Sequence, residues 1–427
     1  MNRIDALYLA AAPVVIPALA ARSLRRGGWR AFWARNGDGD DLPDKQRPRI
    51  VVHAVSVGEV NAIRQLVRQL AESPFRPELI ISATTATGRD RAASLFGDTH
   101  RVEPLPLDLS WTVGRFLDRI RPDLIATVEL EVWPNLVRAC HRRAIPIGVI
   151  NGRLSARSFE RYLRIRRLIQ PAFRALDFAA VQNDTYAERF LALGAAPARI
   201  HVTDTMKWDA AAQPVDDADA ARLARELGIN PDLPLVVAGS TAPEEHELLR
   251  DAVPAGAQLL CAPRRPEWFD HAADVMPDAV RRTRAKGDAS EPKRFILDTI
   301  GELSLAYTLA DVVVVGRSFG ERHGSDMLEP IARGKPTVIG PAVDDFREVM
   351  DVLLAAGGVL QVERGQLGQT IRKLLLDAEA RNTLTRRGLD TVARHQGATR
   401  RHRDLLLAQL ADPSHAPAQP DHAPTRP

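Results

Sequence analysis

The chain has 427 residues, 45% of them hydrophobic and 26% charged, with a net charge of +4. That length holds two α/β domains and that composition is an ordinary globular one; so small a positive balance gives no general case for nucleic acid. Its two cysteines, Cys140 and Cys261, stand in no CxxC or Cys/His cluster, so they are expected to be reduced, in a cytoplasmic setting, with no zinc site.

In chain order, Ile4–Ala21 is apolar except for Asp5, and Pro13 and Pro17 interrupt it. Arg22, Arg25, Arg26, Arg30 and Arg35 follow, interleaved with Trp29, Phe32 and Trp33 and with no acid between residues 22 and 35. A positive flank with interfacial aromatics predicts a membrane anchor over residues 1–35, with the main body on the cytoplasmic side. The positive region comes after the apolar run, so the segment does not read as a cleaved signal. A helix packed on the protein is the plainer alternative. Residues 36–48 are a Gly/Asp/Pro linker; Asp38-Gly-Asp40 lies inside it, without the preceding strand that a metal-binding Asp-x-Asp needs.

Strands and helices then alternate over 49–208. Strands are expected at 49–55, 79–83, 124–128, 145–150, 178–181 and 200–202, with an amphipathic helix over 59–70. Residues 209–233, rich in Ala and Asp, read as an interdomain connection. A second series fills 234–411, with strands at 235–238, 258–261, 295–297, 312–315, 337–339 and 359–362. The Pro/Ala/His tail at 412–427 is expected to be disordered. Two βαβ-rich halves predict two doubly wound Rossmann-like domains facing a cleft.

The informative residues sit at predicted strand ends. Ser56 and Glu59 have the spacing of a capping box; Glu59 is also placed to be a general base, kept ionised by the helix start. Glu129 and Glu131 straddle a strand end at i, i+2, so they are expected to point different ways, one into the site and one capping the helix that Pro134 opens. Asn151-Gly-Arg-Leu-Ser155 is a third polar loop on the same rim. In the second half, Val312–Val315 is an apolar run typical of a strand buried on both faces. Ser325 or Asp326 can cap the next helix, which carries Glu329, a carboxylate suited to a ribose diol at a nucleotide site. Residues 155–174 mix Arg157, Arg161, Arg164, Arg166, Arg167 and Arg174 with Phe159, Tyr162, Leu163, Ile165, Leu168 and Ile169, a pattern suited to an anionic lipid or to a solvated helix face.

Three strings, His53-Ala-Val-Ser-Val-Gly-Glu59, Glu129-Leu-Glu-Val-Trp-Pro-Asn135 and Asn151-Gly-Arg-Leu-Ser-Ala-Arg-Ser158, closely resemble the 3-deoxy-D-manno-octulosonic acid (Kdo) transferases of lipopolysaccharide synthesis. So do Gln182-Asn183, Ala262-Pro-Arg-Arg-Pro-Glu267, Asp298-Thr-Ile-Gly-Glu302 and Leu328-Glu-Pro330. The resemblance implies a GT-B inverting glycosyltransferase that moves Kdo from CMP-Kdo to an anionic lipid A precursor, lipid IVA, at the cytoplasmic face of the cell inner membrane, with no cofactor and no metal. By resemblance Glu59 is the catalytic base, and Glu129 and Lys207 stabilise the transition state. Pro263, Arg264, Ile300, Gly301, Glu302, Asp326, Met327, Leu328 and Glu329 hold CMP. The chain departs from the family at His323-Gly-Ser-Asp-Met-Leu-Glu329, where the usual pattern is Gly-Gly-His-Asn-Pro-Leu-Glu. It departs again at Gly316-Arg-Ser-Phe319, where the usual pattern is Gly-Gly-Ser-Leu. Asp326 adds negative charge near the phosphate, and Arg317 is expected to offset it. These departures leave open a related transferase with another nucleotide-sugar donor, or a non-catalytic GT-B protein that binds a lipid or a partner.

Overall fold

The computed structural model describes residues 2–10, 35–211, 215–285 and 293–412. Its contacts divide the chain into two units, one running to Met206 and resuming at Gly397, the other Lys207–Gln396. Each is a seven-stranded sheet in which every paired strand is parallel. The sequence reason is visible in single strands. Side chains alternate across a pleat, so a strand covered on both faces must be apolar throughout. In the second unit Val313 and Val315 enter one core cluster and Val312 and Val314 the other.

In the first unit the strands are β1 (Arg49–Ala54), β2 (Glu78–Ala83), β3 (Arg101–Glu103), β4 (Leu124–Val128), β5 (Ile147–Gly152), β6 (Phe178–Val181) and β7 (Ile200–Val202). Their order is β3-β2-β1-β4-β5-β6-β7, which puts the reversal of strand order between β1 and β4. The short edge strand β3 was not expected, having no apolar run to mark it. The helix expected over 59–70 is two helices, Val57–Ala62 and Arg64–Ala71, meeting at Ile63.

In the second unit β8 (Leu235–Thr241), β9 (Gln258–Pro263), β10 (Val280–Arg281), β11 (Arg294–Ile296), β12 (Val312–Val315), β13 (Thr337–Ile339) and β14 (Leu360–Gln361) follow the order β10-β11-β9-β8-β12-β13-β14. The reversal here lies between β8 and β12. The stretch read as a connection contains a helix, Asp217–Leu227, whose Leu223 and Leu227 belong to this unit's core.

The last helix, Ala398–Ala411, belongs to the first unit rather than the second, where the sequence placed it. Its Ala398 and Leu406 enter the same core cluster as Ile50, Val52 and Leu66. Its buried His402 ties it to the strand ends: Nδ1 faces the Ala398 carbonyl at 2.7 Å, Nε2 accepts from the Asn151 N–H at 2.8 Å, and Thr203 lies 3.2 Å away. Asn151 has φ +51, and its side-chain oxygen accepts from Met206 N–H at 3.1 Å. The Asn151 loop therefore holds structure together, and its amide group is occupied by that task.

Residues 3–10 are helical and dock on the first unit through Asp5 and Tyr8. Asp5 has no exposed surface and accepts from Ser110 N–H (2.9 Å), Ser110 O–H (2.6 Å) and the Asn135 side-chain amide (3.1 Å). Burial pushes its carboxyl up, but these bonds and the Asn2 N–H outweigh that and leave it lowered. The basic aromatic flank at 22–33 lies outside the described residues, as does the tail from 413. Among the described residues no helix is long and apolar enough to cross a membrane.

Candidate active site

In an open parallel sheet, the loops that leave the carboxyl ends of the strands on either side of the order reversal diverge and leave room for a ligand. In the first unit those are the loops after β1 and β4, which carry Glu59 and Glu129. Ser56 caps the helix Val57–Ala62, its oxygen accepting from Glu59 N–H at 3.4 Å. Glu59 reaches back, accepting from Val55 N–H at 2.7 Å on one carboxylate oxygen and from Ser56 O–H at 2.8 Å on the other. Glu59 thus closes a variant of the capping box, reaching the N–H before the cap and the cap hydroxyl. A carboxylate has about four lone-pair positions, so each oxygen keeps one for another partner.

The helix start was expected to keep Glu59 ionised, but burial acts on it in the opposite direction. Burial pushes its pKa up and the nearby Glu129 charge adds to the rise, while the bonds from Val55 and Ser56 pull it down. A carboxylate raised in this way is a stronger base than an ordinary one.

Glu129 and Glu131 are not alternating residues of one strand. Glu129 lies just past the end of β4 with φ +62, which breaks the strand alternation on which that expectation rested. Both residues lie within the electrostatic reach of Glu59. Burial, then Glu59, pushes Glu131 up to about 7, against Trp133 Nε1–H, which donates to it at 2.8 Å, and Arg35. Neither acid caps the helix Pro134–Arg142. That role falls to Asp108, which accepts from Asn135 N–H (3.1 Å), Leu136 N–H (2.8 Å) and Tyr8 O–H (3.0 Å) and which burial pushes up to about 6.

One cation acts on these acids and a second stands near the first, and sequence reasoning placed neither in the site. Arg35 feels Glu131 and Arg89, and burial lowers its pKa. Arg89 has a buried guanidinium nitrogen with no partner among the described residues. It follows Gly88, where an added Cβ would lie 2.9 Å from the Val55 carbonyl oxygen, so the helix Ala86–Phe96 can sit against the Glu59 loop only with glycine there. The Thr-Gly-Arg string after β2 was the available signal.

In the second unit Lys207 begins the short helix Lys207–Ala211. Its ammonium lies 3.4 Å from the Asp345 carbonyl oxygen and 4.6 Å from the centre of the Phe346 ring. Pro263 ends β9, and Arg264 follows it, exposed, with its N–H on Thr241 O at 2.9 Å. Ile300 is 72% exposed and Gly301 has φ +99 with open space around it. Glu302 is held by Arg282 at 3.1 Å and by the Thr299 hydroxyl. Met327 and Leu328 are buried. Asp326 accepts from Leu328 N–H at 2.8 Å, and Glu329 is engaged by Ser304 and by Arg333 at 3.4 Å. The Glu329 carboxylate therefore has protein partners already. Ser325 is buried, and its hydroxyl has no partner among the described residues.

The expected Arg317–Asp326 pair does not form. Desolvation, then Glu329, pushes Asp326 up to about 6 although the residue meets solvent, and the cation acting on it is Lys207. Arg317 stands instead among Arg264, Arg265 and Arg322, with Asp345 as its acidic neighbour. Among the described residues no group of three or more His, Cys, Asp or Glu is arranged to hold a metal.

A family profile described as 3-deoxy-D-manno-octulosonic-acid transferase (kdotransferase) matches residues 30–210. The 3-deoxy-D-manno-octulosonic acid transferase of Haemophilus influenzae is 31% identical over 375 residues, 84% of this chain and 87% of that one. Its counterpart in Bordetella pertussis is 30% identical over 418 residues, 92% and 96% of the two chains. Among solved structures, a Neisseria meningitidis UDP-GlcNAc 2-epimerase aligns with a TM-score of 0.58 at 12% identity, covering 84% of this chain and all of that one. That likeness concerns the fold alone.

Proposed function

Because the chain belongs to the 3-deoxy-D-manno-octulosonic acid transferase family, and so is a glycosyltransferase of lipopolysaccharide synthesis, we propose that it moves Kdo from CMP-Kdo to lipid IVA with inversion, using Glu59 as base. The observation that carries this reading is the pairing of Glu59 with Glu129 on the loops after β1 and β4. Glu59 takes the proton of the acceptor hydroxyl as that oxygen attacks the anomeric carbon, and CMP leaves from the opposite face. Burial makes Glu59 basic enough to accept the proton, and the cap fixes its orientation. CMP departs as an anion. Lys207 and Arg264 supply positive charge for it, and the loops carrying Pro263, Ile300–Glu302 and Asp326–Glu329 hold the nucleotide.

The acceptor is an anionic lipid. Helices Ala156–Arg164 and Arg166–Arg174, with Ile165 between them, expose Leu163, Ile165 and Leu168 among six exposed arginines, and residues 3–10 expose Leu7 and Leu9. Arginine among exposed aliphatic side chains suits a phosphorylated lipid at a membrane surface. With the basic flank at 22–35, this supports a location on the inner face of the cell membrane.

The test is Glu59→Gln. Glutamine can keep the Val55 bond through its carbonyl oxygen but takes no proton, so Kdo transfer to lipid IVA should fall by about two to four orders of magnitude. CMP binding and the circular dichroism spectrum should persist. Turnover near wild type in the folded variant would refute the assignment. A second reading, a different nucleotide-sugar donor, is favoured by the altered Ser325-Asp326 pair. Tighter binding of another nucleotide than of CMP would select it.

A further inference from the structure

The loop after β12 carries an arginine, Arg317, whose guanidinium makes no ion pair among the described residues. Arg317 has φ +58 there, a left-handed backbone that glycine adopts freely and that a side chain resists. Two features enforce the turn. The N–H groups of Arg317, Ser318 and Phe319 donate at 2.8, 2.9 and 3.0 Å to the buried carboxylate of Glu245, which lies on the helix after β8. At Gly316, an added Cβ would lie 2.6 Å from Thr241 Cα. Glu245 thus spends its charge on backbone amides and not on the Arg317 side chain.

That side chain shares its surroundings with three more arginines. Arg265 and Arg322 lie over the ring of Trp268, at 5.0 and 4.7 Å from its centre, and each has an acid, Glu267 at 3.5 Å and Glu244 at 2.5 Å. Arg264 and Arg317 are different: their guanidinium groups make no hydrogen bond or ion pair among the described residues. Burial lowers the Arg317 pKa, and Arg264, Arg265 and Arg322 lower it further, against Asp345. Like charges gathered at a strand end, one of them on strained backbone, favour an anion that joins them.

We propose that Arg317 forms a second anion subsite, distinct in role from the Arg264 and Lys207 charge that serves the phosphate, and takes the carboxylate of the donor's sugar acid. The inference rests on the donor reading above and deepens it. The proposed donor carries two anions on one carbon, the phosphate that leaves and the carboxylate that stays. A guanidinium matches a carboxylate with two parallel N–H bonds, which an ammonium such as Lys207 does not. Arg317 is therefore a specificity residue of this chain. It distinguishes an activated sugar acid from an activated neutral sugar on the same nucleotide.

Arg317→Gly tests this cleanly, because glycine suits the left-handed turn and the fold should be kept or slightly stabilised. The KM for CMP-Kdo should rise about tenfold or more, the worth of a charge-assisted pair. Inhibition by CMP alone should change less than about twofold, since CMP lacks the carboxylate. Arg317→Lys should fall between, keeping charge without the fork. Equal weakening of CMP and CMP-Kdo would make the subsite one for phosphate and overturn the proposal, as would an unchanged KM. A wild-type protein that binds no CMP would instead remove the donor reading itself.

Discussion

Glu131 shows how one residue sets a pH dependence. Its folded pKa of about 7 lies above its ordinary 4.5 because of burial and Glu59. Between those values the folded protein holds a proton that the unfolded chain has released, so this group's contribution to stability is lost as pH rises through the window. Glu131→Gln should therefore unfold at a higher temperature than wild type at pH 8. The difference should vanish near pH 4.5. A variant less stable than wild type at pH 8 contradicts the argument. A second prediction follows from the charge that acts on Asp326. In CMP titrations Lys207→Ala and Asp326→Asn should be non-additive, by about 0.5 kcal/mol given the exposure of Asp326, whereas Arg317→Ala and Asp326→Asn should add. Non-additivity of the second pair alone would restore the Arg317 partnership that the sequence led us to expect.

Elements are held in register here by carboxylates reaching across the chain. Asp108 caps the helix Pro134–Arg142 from 27 residues away, and Glu245 fixes the loop after β12 from 72 residues away. Losing an N-terminal cap costs about 1–2 kcal/mol, and Asp108→Ala also strands the Tyr8 hydroxyl. Urea unfolding should register a loss of at least about 2 kcal/mol, with Asp108→Asn recovering part of it; a change below about 0.5 kcal/mol would remove the capping role. This distance is why the sequence reading succeeded at Ser56-Glu59 and failed at Glu131. A capping box is local and its spacing is printed in the chain, whereas Asp108 faces residues 135 and 136 only after β4 has joined the sheet. Strands β4, β6, β7, β12 and β13 were legible to the residue. β3 and β10 have no buried run to announce them. Arg35 comes near Glu131, and Arg89 near Arg35, only through tertiary packing.

For the whole molecule, the second unit is a continuous insertion and the first is discontinuous. Stopping the chain after Gln396 should therefore weaken the first unit, to which the removed helix belongs, and leave the second, which ends at Gln396, intact. Without Ala398, His402 and Leu406 the first unit loses core packing and a partner for Asn151, so its unfolding transition should move down by about 10 °C or more for a loss of several kcal/mol. The second unit's transition, and its shift on adding CMP, should stay in place. A CMP-dependent transition that falls by as much would mean that the last helix supports the second unit instead. The same thread through the fold bears on synthesis. After Met206 the ribosome must add about 190 residues before His402 exists, a delay on the order of 10–40 s at bacterial rates. Throughout that time the nascent first unit has a finished sheet with an open apolar face, so in the cell it is the earlier half of this protein that waits on the later one and stands exposed to chaperones and proteases.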